Sequence, residues 1–332
     1  MNRANAVWIF WSFDESAKLW EFIFLILSNG LRREYQMRPD PRFVRQSKQF
    51  WACVRTVSQY LGYTFKIKGE ESIIKIHSIA KIHQAFRDLT LNAGEILDST
   101  GEATPLGTRL HLYFEHRAEV LNNFVRPRLM DAKKAKLAFN RIKKGFPHNC
   151  PLPMNKQTGS KKAAAFLTGI TNMLIEENLK GRPCNYDPRI LTTVTKHGVP
   201  VRTLARRVDG AFPDAINPIA IWEIKEYYYT TTFGSRVADG VYETLLDGME
   251  LEELAEKENI KVEHYLMLDD YLTWWKMGKS YLCRIVDMLH MGYVDEVLFG
   301  AEIIDEMPRI VKHWATLYEQ RKQSEVQEPK IV

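Results

Sequence analysis

The stretch RRVDGAFPDAINPIAIWEIKEYYYTTTFG (206–234) decides how this chain folds. Its segment from Ile219 to Ile224 is apolar and bounded by turn residues, which predicts a strand running through a core. PDAINP ahead of it is a turn enforced by Asn217-Pro218, and the run ending in RRVDGAF predicts the partner strand. Yet the returning strand carries Glu223 and Lys225 near its end, and Asp209 sits at the end of the run before it. Thirteen residues separate Asp209 from Glu223, the length of a strand, a tight turn and a returning strand. Paired as a hairpin, the two strands bring both carboxylates to one end of the sheet. Glu223 and Lys225 are two apart and project from the same face.

Two carboxylates a few ångströms apart repel, and dry surroundings enlarge the repulsion. A hard divalent cation resolves it. Magnesium prefers carboxylate and water oxygens and often takes only one or two protein carboxylates. Such an ion polarises a phosphodiester oxygen and lowers the pKa of a bound water. A lysine beside it can hold the attacking water or stabilise charge on phosphorus.

Working outward, AAAFLTGITNMLIEENL predicts a helix with Phe166, Ile170, Met173 and Leu174 on one face, ended by Gly181 and Pro183. ILTTV is a strand, VPVRTLARRVDGAF a second and IAIWEIKEYYY a third. A helix opening at SRVADG, with Ser235 as a possible N-cap, the strand VEHYLML, the helix TWWKMGKSYLCRIVDMLHMG and the strand VDEVLF follow. The order α-β-β-β-α-β-α-β predicts an α/β (α+β) fold, a mixed central sheet flanked by helices.

The residues Asp209 in RRVDGAF and Glu223, Ile224 and Lys225 in WEIK resemble the PD-(D/E)XK nuclease superfamily, which includes many type II restriction endonucleases. The resemblance spans roughly residues 161–300. It implies a restriction-endonuclease-like core in which Asp209, Glu223 and the Ile224 carbonyl bind Mg²⁺ and Lys225 serves the water and phosphate. The literal Pro-Asp pair is Pro213-Asp214, but turn chemistry explains Asp214 completely, so Asp209 is the preferred first acid. Many members also carry an acid on the first helix. Glu177 is the better candidate for it and Glu176 the fallback.

The upstream half divides at about residue 150 from a catalytic part, 151–332. QSKQFWACVRTVSQYLGY and IAKIHQAFRDLTL are helical in period and flank two short strand-like runs, TFKIKG and IIKIHS. Helix, ribbon and helix fit a small DNA-binding unit of winged-helix type, or a plain helical cap. GFPHNCPLPMNKQTGSKK reads as a linker or a mobile loop. Between Phe124 and Lys162 stand eleven Lys or Arg residues and one acid, Asp131, a bias that attracts polyanions, nucleic acid above all. Lys161, Lys162, Arg206, Arg207 and Arg236 are candidate DNA contacts, with Arg202 beside them. Tyr227 to Tyr229 with Thr230 to Thr232 extend the strand toward sugar or phosphate. His197 and His264 are weaker candidates as bases.

The formal charge is +5 on 332 residues, and Cys53, Cys150, Cys184 and Cys283 form no CxxC pair. This excludes a zinc-ribbon or disulfide framework and suits a reducing, cytoplasmic setting. The Trp- and Phe-rich N-terminus is interrupted by Asp14, Glu15, Lys18 and Glu21, which excludes a spanning helix and predicts an amphipathic one. Met37 is an alternative start. The expected function is a Mg²⁺-dependent endonuclease on double-stranded DNA, of restriction or phage-defence type. It is expected to act as a homodimer because two strands need two sites. A repair or resolvase-like nuclease and a non-catalytic DNA-binding module are the rival readings.

Overall fold

Side-chain caps open the N-terminal helices. Ser47 accepts the Phe50 N–H ahead of α1 (Lys48–Leu61), and the ribbon of β1 (Thr64–Phe65) and β2 (Ile73–Ile74) follows. Ser78 accepts the Lys81 N–H ahead of α2 (Ile79–Asp88), and Thr104 the Gly107 N–H ahead of α3 (Pro105–Glu119). Each such cap stabilises by about 1 kcal/mol. The computed structural model describes residues 37–44, 46–66, 68–229 and 234–327. The apolar N-terminal stretch, Thr230 to Thr232 and the end of the chain therefore lie outside the described residues.

Phe50, Val54, Ile82, Phe86, Leu110 and Phe114 form the core between these three helices. The antiparallel ribbon is only two residue pairs long, Thr64 with Ile74 and Phe65 with Ile73. The α3 helix runs on through a π-helical turn (Val120–Val125) and a last turn (Arg126–Arg128). Asp131 then caps α4 (Ala132–Gly145) by accepting the Lys134 N–H.

The α4 helix packs on α5 (Phe166–Leu179). Phe139 meets Phe166 with ring centroids 5.7 Å apart, and Gly169 leaves room for it: a Cβ there would come within 2.4 Å of the Phe139 ring. Ala135, Ala138, Phe139 and Ile142 thus join the C-terminal core, so the basic helix does not belong with the N-terminal region as the expected division near residue 150 has it. Nor is the Pro-rich stretch that follows a linker. It lies against α5, with Asn172 Nδ2 donating to Pro151 O (2.8 Å) and the Ala165 N–H to Pro153 O (2.9 Å).

Beyond the ribbon, the described strands form two further sheets. β3 (Thr193–Lys196) and β4 (Val199–Thr203) make a separate hairpin. The main sheet holds β5 (Gly210–Phe212), antiparallel to β6 (Ala220–Glu226), with β7 (Glu263–Asp269) parallel to β6 and β8 (Glu296–Phe299) parallel to β7. The single strand expected from Val199 to Phe212 is broken between Thr203 and Gly210. There the chain turns toward a helix, with the Ala205 N–H donating to Glu250. β6 also ends earlier than expected, at Glu226.

α6 (Ser235–Glu258) links β6 to β7, and Ser235 is its first residue rather than its cap. α7 (Lys279–Met291) links β7 to β8, and α8 (Glu302–Gln327) closes the chain. One sheet face, with Trp222, Tyr265 and Leu298, packs on α5 and α8. Trp222 stacks on Trp314 at 5.3 Å and 12°. Ala211 and Ile221 face the other way and meet Leu251 and Leu254 of α6. The fold is mixed α and β, with a mixed sheet between helices. The N-terminal helices dock on α7 through a buried cluster: Arg117 Nη1 lies 3.0 Å from Asp287 Oδ1, and Tyr113 donates to the same carboxylate at 2.5 Å. No helix among the described residues is long and apolar enough to cross a membrane.

Candidate functional site

The last β5–β6 pair is Gly210 with Trp222, so Asp209 stands one step beyond it, opposite Glu223. Here β5 has ended, and the Asp209 carboxylate takes the place of a backbone partner. Its Oδ2 accepts the Ile224 N–H at 2.8 Å. N–H and C=O of one strand residue point to the same neighbour, so the Ile224 carbonyl also faces this open side. Asp214 lies at the opposite, closed end of the hairpin, where it accepts Asn185 Nδ2 and the Ala215 N–H, each at 2.7 Å.

Glu223 is fully buried and Lys225 nearly so. Lys225 Nζ lies 2.9 Å from Glu223 Oε2 and 2.9 Å from Glu243 Oε2 of α6. Arg206, from the break after β4, reaches into the same cluster. Its guanidinium lies 2.9 Å from Glu223 Oε1, 2.6 Å from Asp247 Oδ2 and 3.4 Å from Glu243 Oε2. Arg206 is therefore committed to internal ion pairs, which corrects the expectation that it contacts DNA.

Four carboxylates (Asp209, Glu223, Glu243, Asp247) thus surround two cations (Arg206, Lys225), an excess of two negative charges when all are ionised. Burial pushes Asp209 up to about 6, and the charge of Glu223 adds to it against Lys225, the Ile224 N–H and Arg206. Burial likewise lifts Asp247 to about 7 against the pull of Arg206. Burial would raise Glu223 as well, but Lys225 and Arg206 outweigh it and hold this carboxyl below its usual range. Asp209 keeps solvent contact while protein atoms crowd its inner side.

These donors suit a hard cation: two carboxylates and a free-facing carbonyl are all oxygen. The buried Asp247 Oδ1 has no hydrogen-bond partner, which leaves another acceptor beside the cluster. Among the described residues, no group of three or more His, Cys, Asp or Glu forms a ready metal cluster. Arg206 stands between Glu223 and Asp247, so these two acids meet a guanidinium rather than each other.

Other expected site residues fall elsewhere. Glu177 is exposed near the C-terminal end of α5. The N-terminal turn of that helix is the end near the cluster, where the Leu167 N–H (2.9 Å) and Thr168 Oγ1 (2.8 Å) donate to Glu226. Nine residues on, Glu177 is about 13 Å further along the helix axis, so it is not gathered with Glu223. Glu176 is also occupied, accepting the Asn149 and Cys150 N–H groups. Tyr228 donates to Asp269 at 2.6 Å and Tyr227 to the Arg236 carbonyl at 3.1 Å, so these tyrosines turn inward rather than extend a strand. His264 is buried, its Nδ1 2.9 Å from Tyr293 O, and burial lowers its pKa. His197 occupies the β3–β4 turn at a φ of 52°.

Arg207, Arg236, Lys161 and Lys162 are exposed. So are Lys133, Lys134, Lys136, Arg141, Lys143 and Lys144 of α4, opposite the buried stripe of Ala135, Ala138, Phe139 and Ile142. The sequence reading missed Glu243 and Asp247. Their i, i+4 spacing on a helix was the available signal, since it puts both acids on one face.

No curated protein and no solved structure matches the chain. A family model described as domain of unknown function (DUF7690) matches residues 37–124, the N-terminal helices and ribbon. A second matches residues 130–314, more than half of the chain, from the link before α4 to the Trp314 that stacks on the sheet. On that match the chain belongs to the family described as domain of unknown function (DUF7687).

Proposed function

We propose that this protein is a Mg²⁺-dependent phosphodiesterase that cleaves double-stranded DNA, with its site at the open end of β5 and β6. The observation that carries the reading is the gathering of Asp209, Glu223 and Lys225 on one face, within a cluster that holds two more acids than bases. The arrangement is what the resemblance to PD-(D/E)XK nucleases leads one to expect of an acid, a second acid and a lysine. Asp209, Glu223 and the Ile224 carbonyl would hold the cation. Bound there, it supplies Lewis-acid activation of a phosphate oxygen and of water. Lys225 positions a water or steadies charge on the scissile phosphate, and for this it must release one of its two carboxylates. Arg206 keeps Glu223 ionised and in place.

The outer face of α4 supports a nucleic-acid substrate. Its six exposed cations have no acid among them on that face, and like-charge neighbours such as Lys133 with Lys136 and Arg141 with Lys144 weaken an isolated helix. Its N-terminus is tied to the sheet end that carries the site, since the Met130 N–H donates to Asp269 at 2.7 Å. Cutting both strands requires two sites, so a pair of copies is part of the proposal. The four free cysteines suit a reducing, cytoplasmic compartment.

The test is incubation of supercoiled plasmid with protein and Mg²⁺, with end mapping of the products. Glu223→Gln and Lys225→Ala should each cut the rate by roughly 10²-fold or more while the fold persists. Fragments of defined length favour a restriction type, and cuts confined to junctions favour a repair type. A second reading, a non-catalytic DNA-binding module, rests on Arg206. Its ion pairs with Glu223 and Asp247 would make the cluster an inert structural latch. That reading predicts salt-sensitive DNA binding and no cleavage with any divalent ion.

A further inference from the structure

A recess lies away from the acid cluster. A cleft of about 760 Å³ opens between α1, α6 and α7, within the size range of small-molecule sites. Its walls carry two guanidiniums, Arg55 and Arg284, and the rings of Tyr60, Tyr63 and Tyr242. Among the described residues, neither arginine has a carboxylate within ion-pair distance. Arg55 Nη2 meets only the Met291 thioether, at 3.5 Å. Arg284 donates to the Tyr242 hydroxyl at 3.2 Å and lies over the rings of Tyr281 (5.2 Å) and Tyr63 (5.8 Å).

The one acid in the wall, Asp287, is already satisfied by Arg117 and Tyr113. Asp88, which receives the Tyr60 hydroxyl at 3.0 Å, lies on the rim. The cleft therefore presents two uncompensated positive charges beside aromatic rings. Tyr60 and Tyr242 expose 46% and 54% of their surface, enough to stack on an incoming ring. Arginine forks match phosphate oxygens, and tyrosine faces match planar bases.

We propose that this cleft binds a nucleotide, its phosphate held between Arg55 and Arg284 and its base against the tyrosines. The site stands independently of the phosphodiesterase reading. It does touch the same helix: Val241 and Tyr242 of α6 line the cleft, whereas Glu243 and Asp247 of that helix face the acid cluster. The bound nucleotide is either free in solution or one unit of a nucleic-acid strand, and both offer the same phosphate and base.

The full chain, in EDTA so that metal-dependent hydrolysis is silent, is titrated with AMP, CMP, GMP and TMP. Inorganic phosphate, adenosine and tetrathymidylate are titrated alongside. At least one mononucleotide should bind about tenfold or more tighter than phosphate or adenosine alone, since both halves of the site contribute. Arg55→Glu, a change at an exposed position that leaves the melting temperature in place, should abolish that gain, and Arg284→Ala should do the same. Photolysis of bound 8-azido-AMP should label the peptides holding Tyr60, Tyr63 or Tyr242.

Binding of tetrathymidylate without mononucleotides, lost in Arg55→Glu but kept in Lys144→Glu, assigns the cleft to a strand. Absence of both kinds of binding, or equal binding to the wild type and Arg55→Glu, overturns the proposal, as does equal weakening by Arg55→Glu and Lys144→Glu. Lys225→Ala should bind as the wild type does. A chain that binds here but never cuts DNA refutes the phosphodiesterase alone, and one that cuts but binds nothing here refutes the cleft alone.

Discussion

Arg206 reaches Glu223 across the broken end of a strand, its guanidinium 2.9 Å from Oε1 and 3.1 Å from Oε2. A buried carboxylate held this way is stable only while a cation faces it. Arg206→Met removes the guanidinium but keeps an apolar stem. It should destabilise the fold by about 2–4 kcal/mol in EDTA, because Glu223 and Asp247 are left buried with Lys225 alone. Mg²⁺ should restore part of that loss and should raise the melting temperature of the variant more than that of the wild type. Thermal melts with and without Mg²⁺ check this. Equal responses in the two proteins would mean that a divalent cation and the guanidinium do not compete for these acids.

Gly210 sits between the catalytic candidate Asp209 and the aromatic stack. A Cβ at this position would lie 2.1 Å from the Trp222 indole, too close for any side chain. Gly210→Ala should therefore displace Trp222 from Trp314 and cost about 1–3 kcal/mol. The measurement is a denaturant melt followed by tryptophan fluorescence. Retained stability and an unchanged emission maximum would show that the stack yields more easily than its 5.3 Å, 12° geometry indicates.

Much of this arrangement was legible from local rules. The apolar run before Glu223 and the Asn217-Pro218 turn carry the β5–β6 hairpin, and two-residue spacing carries the contact between Glu223 and Lys225. The break between Thr203 and Gly210 was not legible, because the alternation of VPVRT and the apolar VDGAF read as one continuous strand. What interrupts it is tertiary, namely acids on α6 that draw Arg206 and the Ala205 N–H aside. Sequence spacing also misassigned Arg206, since an arginine's partners 17 and 41 residues away leave no local trace. The same holds for Glu226, which caps α5 from another element because Ala165 has no side-chain acceptor. The Pro-rich stretch after α4 looked like a linker by composition, but its carbonyls find donors on and beside α5.

Asp269, on β7 beside Glu226 at the same sheet end, offers a pH test. Burial pushes its carboxyl up to about 8, against the Tyr228 hydroxyl and the Met130 and Asp270 N–H groups. A folded value above the unfolded one means that the native state binds the extra proton. The stability this group contributes is full below about pH 4 and is lost as pH rises toward 8. Asp269→Asn keeps an acceptor for the two N–H groups and presents an amide to the tyrosine oxygen. The variant should match the wild type near pH 4 and become progressively more stable than it up to pH 8. Urea melts across that range read the difference. A constant gap at all pH values would show that Asp269 titrates normally.

The α4 face makes a prediction that depends on charge alone. Lys133, Lys136 and Lys144 are exposed and away from the Phe139 contact, so converting all three to Gln should leave the melt within about 0.5 kcal/mol of wild type. If these side chains neutralise DNA phosphates, each lost contact lowers the slope of log K against log salt by about 0.9. The triple variant should therefore bind duplex DNA with a slope shallower by up to about 2.7, and more weakly at low salt whatever the sequence. Polarisation titrations of a labelled duplex at several salt concentrations measure it. An unchanged slope would remove α4 from the DNA path and leave Arg207, Arg236, Lys161 and Lys162 as the cations to test next, since all four are exposed.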